Sequence, residues 1–208
     1  MNSPLQDNTP QSQFSTQDKK YTDRLLQKTT VWWKRLLDVQ RPYRWNLNRL
    51  KPGFILDIGC GIGRNLTHLK GNGIGIDHNS TSVEIAKERG LQVFVTEEFH
   101  KSKFFSPNTF DSILLSHVAE HMKEGEAIDL LKIYLPLLKP NGKIIIITPQ
   151  ELGYGSDQTH VQFVDFETDS RIIKGIGCKV LKLYSFPFPR IIGRIFKYNE
   201  FICVGEKS

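Results

Sequence analysis

The decapeptide Leu56-Asp57-Ile58-Gly59-Cys60-Gly61-Ile62-Gly63-Arg64-Asn65, LDIGCGIGRN, sets three glycines in five positions directly behind an apolar run and an aspartate. Glycines so spaced mark a turn where the backbone must come close to something that a side chain would block. The run Phe54 to Ile58 before it reads as a buried strand and Arg64 to Leu69 after it as a helix, so the turn joins strand to helix. A dinucleotide site would want GxGxxG, but the third position is Arg64 counted from Gly59 and Leu66 counted from Gly61. What remains is Asp57 ahead of the turn and Asp77 closing the next strand candidate, in GIGIDHN. A carboxylate at the end of that second strand can accept hydrogen bonds from both hydroxyls of a ribose.

Outward from this unit, short apolar runs alternate with helical patterns. Strands are expected at Phe54 to Ile58, Gly73 to Ile76, Gln92 to Val95, Asp111 to Ser116, Lys143 to Thr148, Lys179 to Tyr184 and Glu200 to Val204. Helices fit at Arg64 to Leu69, Thr81 to Arg89, Glu124 to Leu138 and Phe166 to Lys174. Runs such as Ile144-Ile145-Ile146-Ile147 are apolar on both faces, which argues an α/β fold with a largely parallel sheet covered by helices on both sides. Residues 1 to 20 are polar and read as a disordered tail. Tyr21 to Asp38 sets Leu25, Leu26, Trp32, Trp33, Leu36 and Leu37 near helical spacing, an amphipathic helix that Arg41-Pro42 should end. Residues 21 to 50 thus form an N-terminal helical lid, and 51 to 208 the main domain.

Composition bounds the function. No apolar run approaches the ~20 residues that cross a bilayer, and the polar start lacks a signal-peptide pattern, so a cytoplasmic protein is expected. Cys60, Cys178 and Cys203 form no CxxC pair, which points away from a disulfide framework or zinc finger. Charge is segregated: residues 21 to 50 carry seven Lys/Arg against two Asp/Glu, 171 to 208 eight against two, and 51 to 170 eleven against sixteen. An acidic middle between basic ends suits a cationic cofactor at the centre and an anionic partner at the rim; both basic ends also read as plain solvated faces.

Four segments together resemble the class I S-adenosylmethionine-dependent methyltransferases over roughly Phe54 to Thr148. LDIGCGIG is similar to their first motif, GIGIDHN to their ribose-binding motif, FDSILLSHVAEHM to the fourth strand and its loop, and LLKPNGKIIIITP to the fifth strand entered through a turn. The resemblance implies a Rossmann-like, doubly wound, seven-stranded and mostly parallel sheet whose last strand, near Phe201, is antiparallel. It implies that Gly59, Cys60, Gly61 and Gly63 cradle the methionyl part with help from Asp57, and that Asp77 takes the ribose. His78, Ser116 and the Glu97-Glu98 pair would complete the S-adenosylmethionine site.

An acceptor hydroxyl or amine sheds a proton as it attacks, and histidine suits that exchange. His117, Glu120 and His121 follow the fourth strand at spacings that share one face of a helical turn. HVAEHM resembles the "LEH" variant found in ubiquinone-biosynthesis O-methyltransferases and in glycan- and lipid-modifying relatives; the quinone enzymes carry a carboxylate where His117 stands. A general base or structural hydrogen bonding is preferred for this trio, with a divalent metal as the alternative. His160, in SDQTHVQFVDF, is the second candidate base, because this family builds its substrate wall there.

The acceptor expected is a small molecule, anionic or linked to a lipid or sugar, methylated on oxygen, since the tail SFPFPRIIGRIFKYNEF joins aromatic rings to arginines. An RNA methyltransferase is the first rival. Ser116-His117-Val118-Ala119 stands where base-amine methylation by this family shows Asn/Asp-Pro-Pro-aromatic, and no RNA-binding module is appended. A non-catalytic scaffold is the second rival, and membrane contact through the Trp32-Trp33 helix is compatible with the enzyme reading.

Overall fold

A computed structural model describes residues 39 to 207. The expected tail and the Tyr21 to Asp38 helix lie outside the described residues. Seven strands form one sheet: β1 (Ile55–Ile58), β2 (Gly73–Asp77), β3 (Val93–Val95), β4 (Phe110–Ser116), β5 (Leu138–Pro149), β6 (Lys179–Phe186) and β7 (Glu200–Glu206). Their spatial order is β3-β2-β1-β4-β5-β7-β6. β7 is antiparallel to both neighbours and the other pairings are parallel, as the resemblance implies.

β1 and β2 are buried along their whole length, so the alternation of a half-exposed strand is absent and an apolar run takes its place. Helices cover both faces. On one face α1 (Arg41–Arg49), α2 (Arg64–His68) and α3 (Ser80–Glu88) meet the sheet through Leu47, Leu66, Val83 and Ala86. On the other, α4 (Thr96–His100), α5 (Glu124–Tyr134) and α7 (Phe166–Gly175) bring Phe99, Ala127, Leu131, Ile172 and Ile173. A short α6 (Glu151–Tyr154) follows β5.

Three differences from the sequence reading have local causes. The helix α1 was not expected, and Pro42 stands in its first turn, where its missing N–H costs nothing. Pro136 converts the end of the expected Glu124 to Leu138 helix into a 3-10 turn, Leu135–Leu137. The third is α4, which was not expected and starts where β3 ends.

Winding reverses between β1 and β4, because the chain leaves the β3 edge and returns to pair with β1 on its other side. The carboxyl ends of β1 and β4 therefore flank a crevice of the kind where open α/β sheets hold ligands. Antiparallel β7 also starts at that edge, since its first residue, Glu200, sits opposite Pro149 at the end of β5.

Candidate active site

The glycine turn is the backbone wall of this crevice. Gly59, Gly61 and Gly63 all have positive φ, at 71°, 52° and 79°. A Cβ on Gly59 would lie 2.4 Å from Cγ2 of Val118, so the turn and the segment after β4 are packed without room for a side chain. The N–H groups of Gly59 and Cys60 both donate to the Ile76 carbonyl, tying the turn to β2. Cys60 contributes its backbone only, as its thiol is buried under α2.

Asp77 ends β2 and faces the turn. Its Oδ2 accepts from Gly61 N at 2.7 Å and its Oδ1 from Asn79 N at 2.8 Å, which leaves one lone pair on each oxygen for a ligand. His78, exposed, stands 3.6 Å from the same carboxylate. Ser116 closes β4 beside the crevice. Glu98 pairs with Lys87 of α3 at 3.3 Å, and burial together with the charge of Glu97 raises the pKa of the Tyr134 phenol.

Asp57 is fully buried behind the turn, and among the described residues no hydrogen bond of ordinary geometry reaches either oxygen. Burial pushes its pKa up to about 7, against the pull of neighbouring Asn65 and Arg64. An orphaned carboxyl group there fits a cationic ligand, which would restore the interactions the fold withholds.

The histidines form a second wall. A 3-10 turn, Ala119–His121, follows β4, and its Glu120 carbonyl accepts from Val161 N and Gln162 N at 2.7 and 3.2 Å. Those two bonds bring a loop forty residues downstream against the turn and set His160 beside His121, ring centroids 4.9 Å apart. Each ring is pinned through Nδ1, His121 donating to the Thr159 carbonyl at 3.1 Å and His160 to that of Tyr154 at 2.7 Å. Nε2 is left as the lone-pair nitrogen of the neutral ring in both. Burial lowers the pKa of His160. Glu120 is wholly buried between these rings and His117.

His117 is held differently. Its backbone is left-handed, φ 59°, and its Nε2 meets Glu200 Oε1 at 2.9 Å. Nδ1 lies 3.3 Å from Glu120 Oε1, an ion-pair approach without hydrogen-bond alignment. Burial alone would strip the proton, but Glu120 and Glu200 together outweigh it and hold the pKa at about 9. At neutral pH this imidazole is charged and carries no lone pair.

Fold and site now stand beside known proteins. A family model described as a methyltransferase domain matches residues 34–183. The chain belongs to this family. Its cofactor is S-adenosylmethionine, which the glycine turn, Asp77 and the orphaned Asp57 fit. The mouse "Probable tRNA methyltransferase 9B" is 29% identical over 133 residues, covering 62% of this chain and 29% of its own. "Phosphoethanolamine N-methyltransferase 3" of Arabidopsis thaliana is 32% identical over 106 residues, covering 47% and 21%. The chain thus spans less than a third of the length of either relative. A crystal structure of a SAM-dependent methyltransferase from Archaeoglobus fulgidus superposes with a TM-score of 0.65 at 19% identity, over 85% of this chain and 98% of the other.

In this methyltransferase the sequence reading missed Glu200, Asp169 and Tyr43. Glu200 is 83 residues from the histidine it binds; an acidic residue opening the apolar run EFICV is the one signal it gives. Asp169, buried on α7, has its pKa raised by burial and then by the charge of Glu120, and among the described residues it has no hydrogen-bond partner. Tyr43 of α1 donates to the Tyr198 carbonyl at 2.7 Å and feels the charges of Glu200 and Arg64. Arg190 is joined to Glu151 at the head of α6 by two hydrogen bonds, so its charge is already engaged.

Proposed function

We propose that this chain is a cytoplasmic enzyme that transfers the methyl group of S-adenosylmethionine to a hydroxyl oxygen of a small acceptor, anionic or linked to a lipid or sugar. Bound S-adenosylmethionine supplies an activated methyl on a sulfonium. The chain's own work is to hold that cofactor, place the acceptor and ease the loss of its proton. Positioning of this kind is worth up to ~7 to 11 kcal/mol in favourable systems.

The observation that carries the reading is the pair of histidine rings beside Glu120. Both are pinned by backbone carbonyls through Nδ1, and one nitrogen of each ring lies within 4.8 Å of a carboxylate oxygen of Glu120 just beyond the end of β4. A hydroxyl needs such basic, electron-rich groups to shed its proton, whereas a neutral amine attacks without them. His117, charged and tied to Glu200, serves as a positioning residue for Glu120. Around the rim, Ile191, Ile195 and Tyr198 are exposed near Arg194 and Lys197, which supports an acceptor with apolar and negative parts. The residues on α1 that reach Tyr198 and Tyr184 support a lid role for the N-terminal segment.

The resemblance to a tRNA enzyme favours one second reading, an RNA acceptor presented at the same edge. The test is methyl transfer from labelled cofactor to lipid, glycan and tRNA fractions, with wild type and His160→Ala. Expected is label in a lipid or small-molecule fraction, turnover lower by ~10²-fold to 10⁴-fold in the variant, and unchanged cofactor affinity. Label confined to tRNA would transfer the assignment to the second reading.

A further inference from the structure

We propose that the segment from Phe188 to Tyr198, which joins β6 to β7, docks the chain on a bilayer surface of anionic phospholipid. Its sequence, FPRIIGRIFKY, holds three Lys/Arg and no Asp/Glu. Ile191 and Ile195 are 70% and 76% exposed, the two aliphatic side chains most open to solvent among the described residues. Phe188 and Tyr198 are exposed as well, and so are Arg194 and Lys197. Large apolar groups gathered at one place on the surface mark a face that meets something other than water.

The exposure is built into the fold, because a buried amide network holds the segment from beneath. Asn199 Nδ2 donates to Gln150 Oε1 and to Ser185 Oγ, both at 2.9 Å, and its Oδ1 accepts from Phe188 N at 2.9 Å. Gly193 lies against the Gln150 amide with no room for a Cβ, which sets the 3-10 turn Arg190–Arg194 directly on the residue that follows β5. Phe196 N donates to the Ile192 carbonyl at 2.8 Å, and the Phe196 ring meets those of Phe188 and Tyr198 edge-on, at 5.2 and 5.8 Å. The glycine is turned inward and the two isoleucines outward, on a support that does not depend on them.

Charge and side-chain shape select the occupant. α1 adjoins the patch, with the Tyr43 hydroxyl on the Tyr198 carbonyl at 2.7 Å and Trp45 stacked on Phe186, where the segment leaves β6. It adds Arg41, Arg44 and Arg49 and no acidic residue. The acidic side chain of neighbouring α6, Glu151, is joined to Arg190. Aliphatic tips ringed by one sign of charge and bordered by Trp and Tyr suit the headgroup region of an anionic bilayer. Arg194 and Lys197 can lay their stems along the apolar tips and keep their charges at phosphate depth. RNA would use the same charges, but it stacks its bases on flat rings, and the most exposed side chains here are branched and aliphatic.

The patch also lies where docking serves the reaction. Asn199 precedes Glu200, which binds His117 and pairs with the end of β5, so a bilayer at the patch stands beside the mouth of the crevice. This deepens the proposed function and rests on it in one respect, that the acceptor is lipid-linked. Such an acceptor reaches the crevice from the bilayer surface, and its apolar tail need not be drawn into water.

The experiment is flotation of the full chain with vesicles of phosphatidylcholine, alone or with about one part in three of phosphatidylglycerol, at low and high salt. Binding to the anionic vesicles that falls as salt rises is expected. Ile191→Ser together with Ile195→Ser should weaken it by about 10-fold or more, and Arg194→Gln together with Lys197→Gln by about 30-fold at low salt. Affinity for S-adenosylhomocysteine should stay unchanged in both variants, since the altered side chains are exposed. A polarity-sensitive dye on an introduced thiol locates the contact, because the native cysteines are buried. Its emission should shift to the blue with anionic vesicles at Ile195→Cys, and should not at Lys132→Cys on α5. No binding to anionic vesicles, binding untouched by the four substitutions, or retention on tRNA in place of vesicles overturns the docking. Dye at Ile195→Cys that is already blue-shifted in the free chain and unmoved by vesicles would show the patch covered by the chain itself or by a second copy, which also overturns it. Methylation of a lipid fraction by a chain that ignores vesicles overturns this inference and leaves the proposed function standing. Vesicle binding with no label in the lipid fraction supports the docking and overturns the lipid-linked acceptor.

Discussion

The glycine turn and the histidine cluster stand at the same edge of one sheet, yet they are fixed by different means. The turn is local: within five residues, three left-handed glycines and bonds to Ile76 and Asp77 set its course. The cluster is assembled from distant segments, with residues 117 to 121, 160 and 200 joined by a few hydrogen bonds and ion pairs. The first wall is made by leaving side chains out and the second by bringing them together. Shape at the turn is therefore encoded by backbone conformation, and chemistry at the cluster by tertiary contacts.

The sharpest way to break this contrast is Gly59→Ala, because Gly59 touches both walls. The new methyl must adopt a left-handed backbone and meets Val118, a stiff β-branched residue that directly precedes the 3-10 turn bearing Glu120. The two penalties sum to about 2 to 5 kcal/mol of stability. Thermal unfolding should show that loss, and calorimetry should show cofactor binding abolished. A variant that binds S-adenosylhomocysteine normally would mean that the turn is not pressed against the segment after β4.

The same contrast explains what was legible in the sequence. Strands buried on both faces are written as continuous apolar runs, so the sheet, its glycine turn and Asp77 could be read without a structure. The reversed β7 was expected from the resemblance, but its place between β5 and β6 puts Glu200 at the active edge, and no local pattern announces that. His160 was found as a candidate by its segment. Its partnership with His121 depends on the carbonyl of Glu120, and a backbone bond across forty residues leaves no mark in composition or spacing. The helix α1 was not foreseen because a proline read as a break can equally open the next helix, and Pro42 stands in the first turn of one.

Asp57 offers a second test, of the claim that the turn is built for a cation. Its carboxyl is raised from an ordinary value to about 7 in the folded chain, with Arg64, Asp77 and Cys60 as the titratable neighbours. The folded state therefore holds the proton more tightly than the unfolded state. This contribution to stability is complete below the unfolded pKa of about 4 and is lost as pH rises through about 7. The cofactor-free protein should lose stability across that window, by about 1.4 kcal/mol per pH unit at most, while Asp57→Asn should flatten the slope. Affinity for S-adenosylmethionine should run the other way, rising as the carboxylate forms. Parallel slopes for wild type and Asp57→Asn in pH-dependent melting would remove the assigned role.

The finest comparison sets Asp77 against Glu98, two carboxylates close to the ends of neighbouring strands. Asp77 is buried, aimed at the glycine turn and holds Gly61 N and Asn79 N while keeping a lone pair free on each oxygen. Glu98 is exposed and spent on Lys87. Asp77→Asn replaces one acceptor oxygen with a donor that faces another N–H, so a hydrogen bond to a charged group is lost. That costs ~1.5 to 3 kcal/mol, or about 10-fold to 150-fold in cofactor affinity. Glu98→Gln removes an exposed ion pair worth at most about 1 kcal/mol, and affinity should stay within about fivefold of wild type. Calorimetry with S-adenosylhomocysteine on both variants decides the point. A drop for Glu98→Gln as large as that for Asp77→Asn would show that Glu98 leaves Lys87 and swings to the adenine side when the cofactor binds, which would restore the role that the family resemblance implies for it.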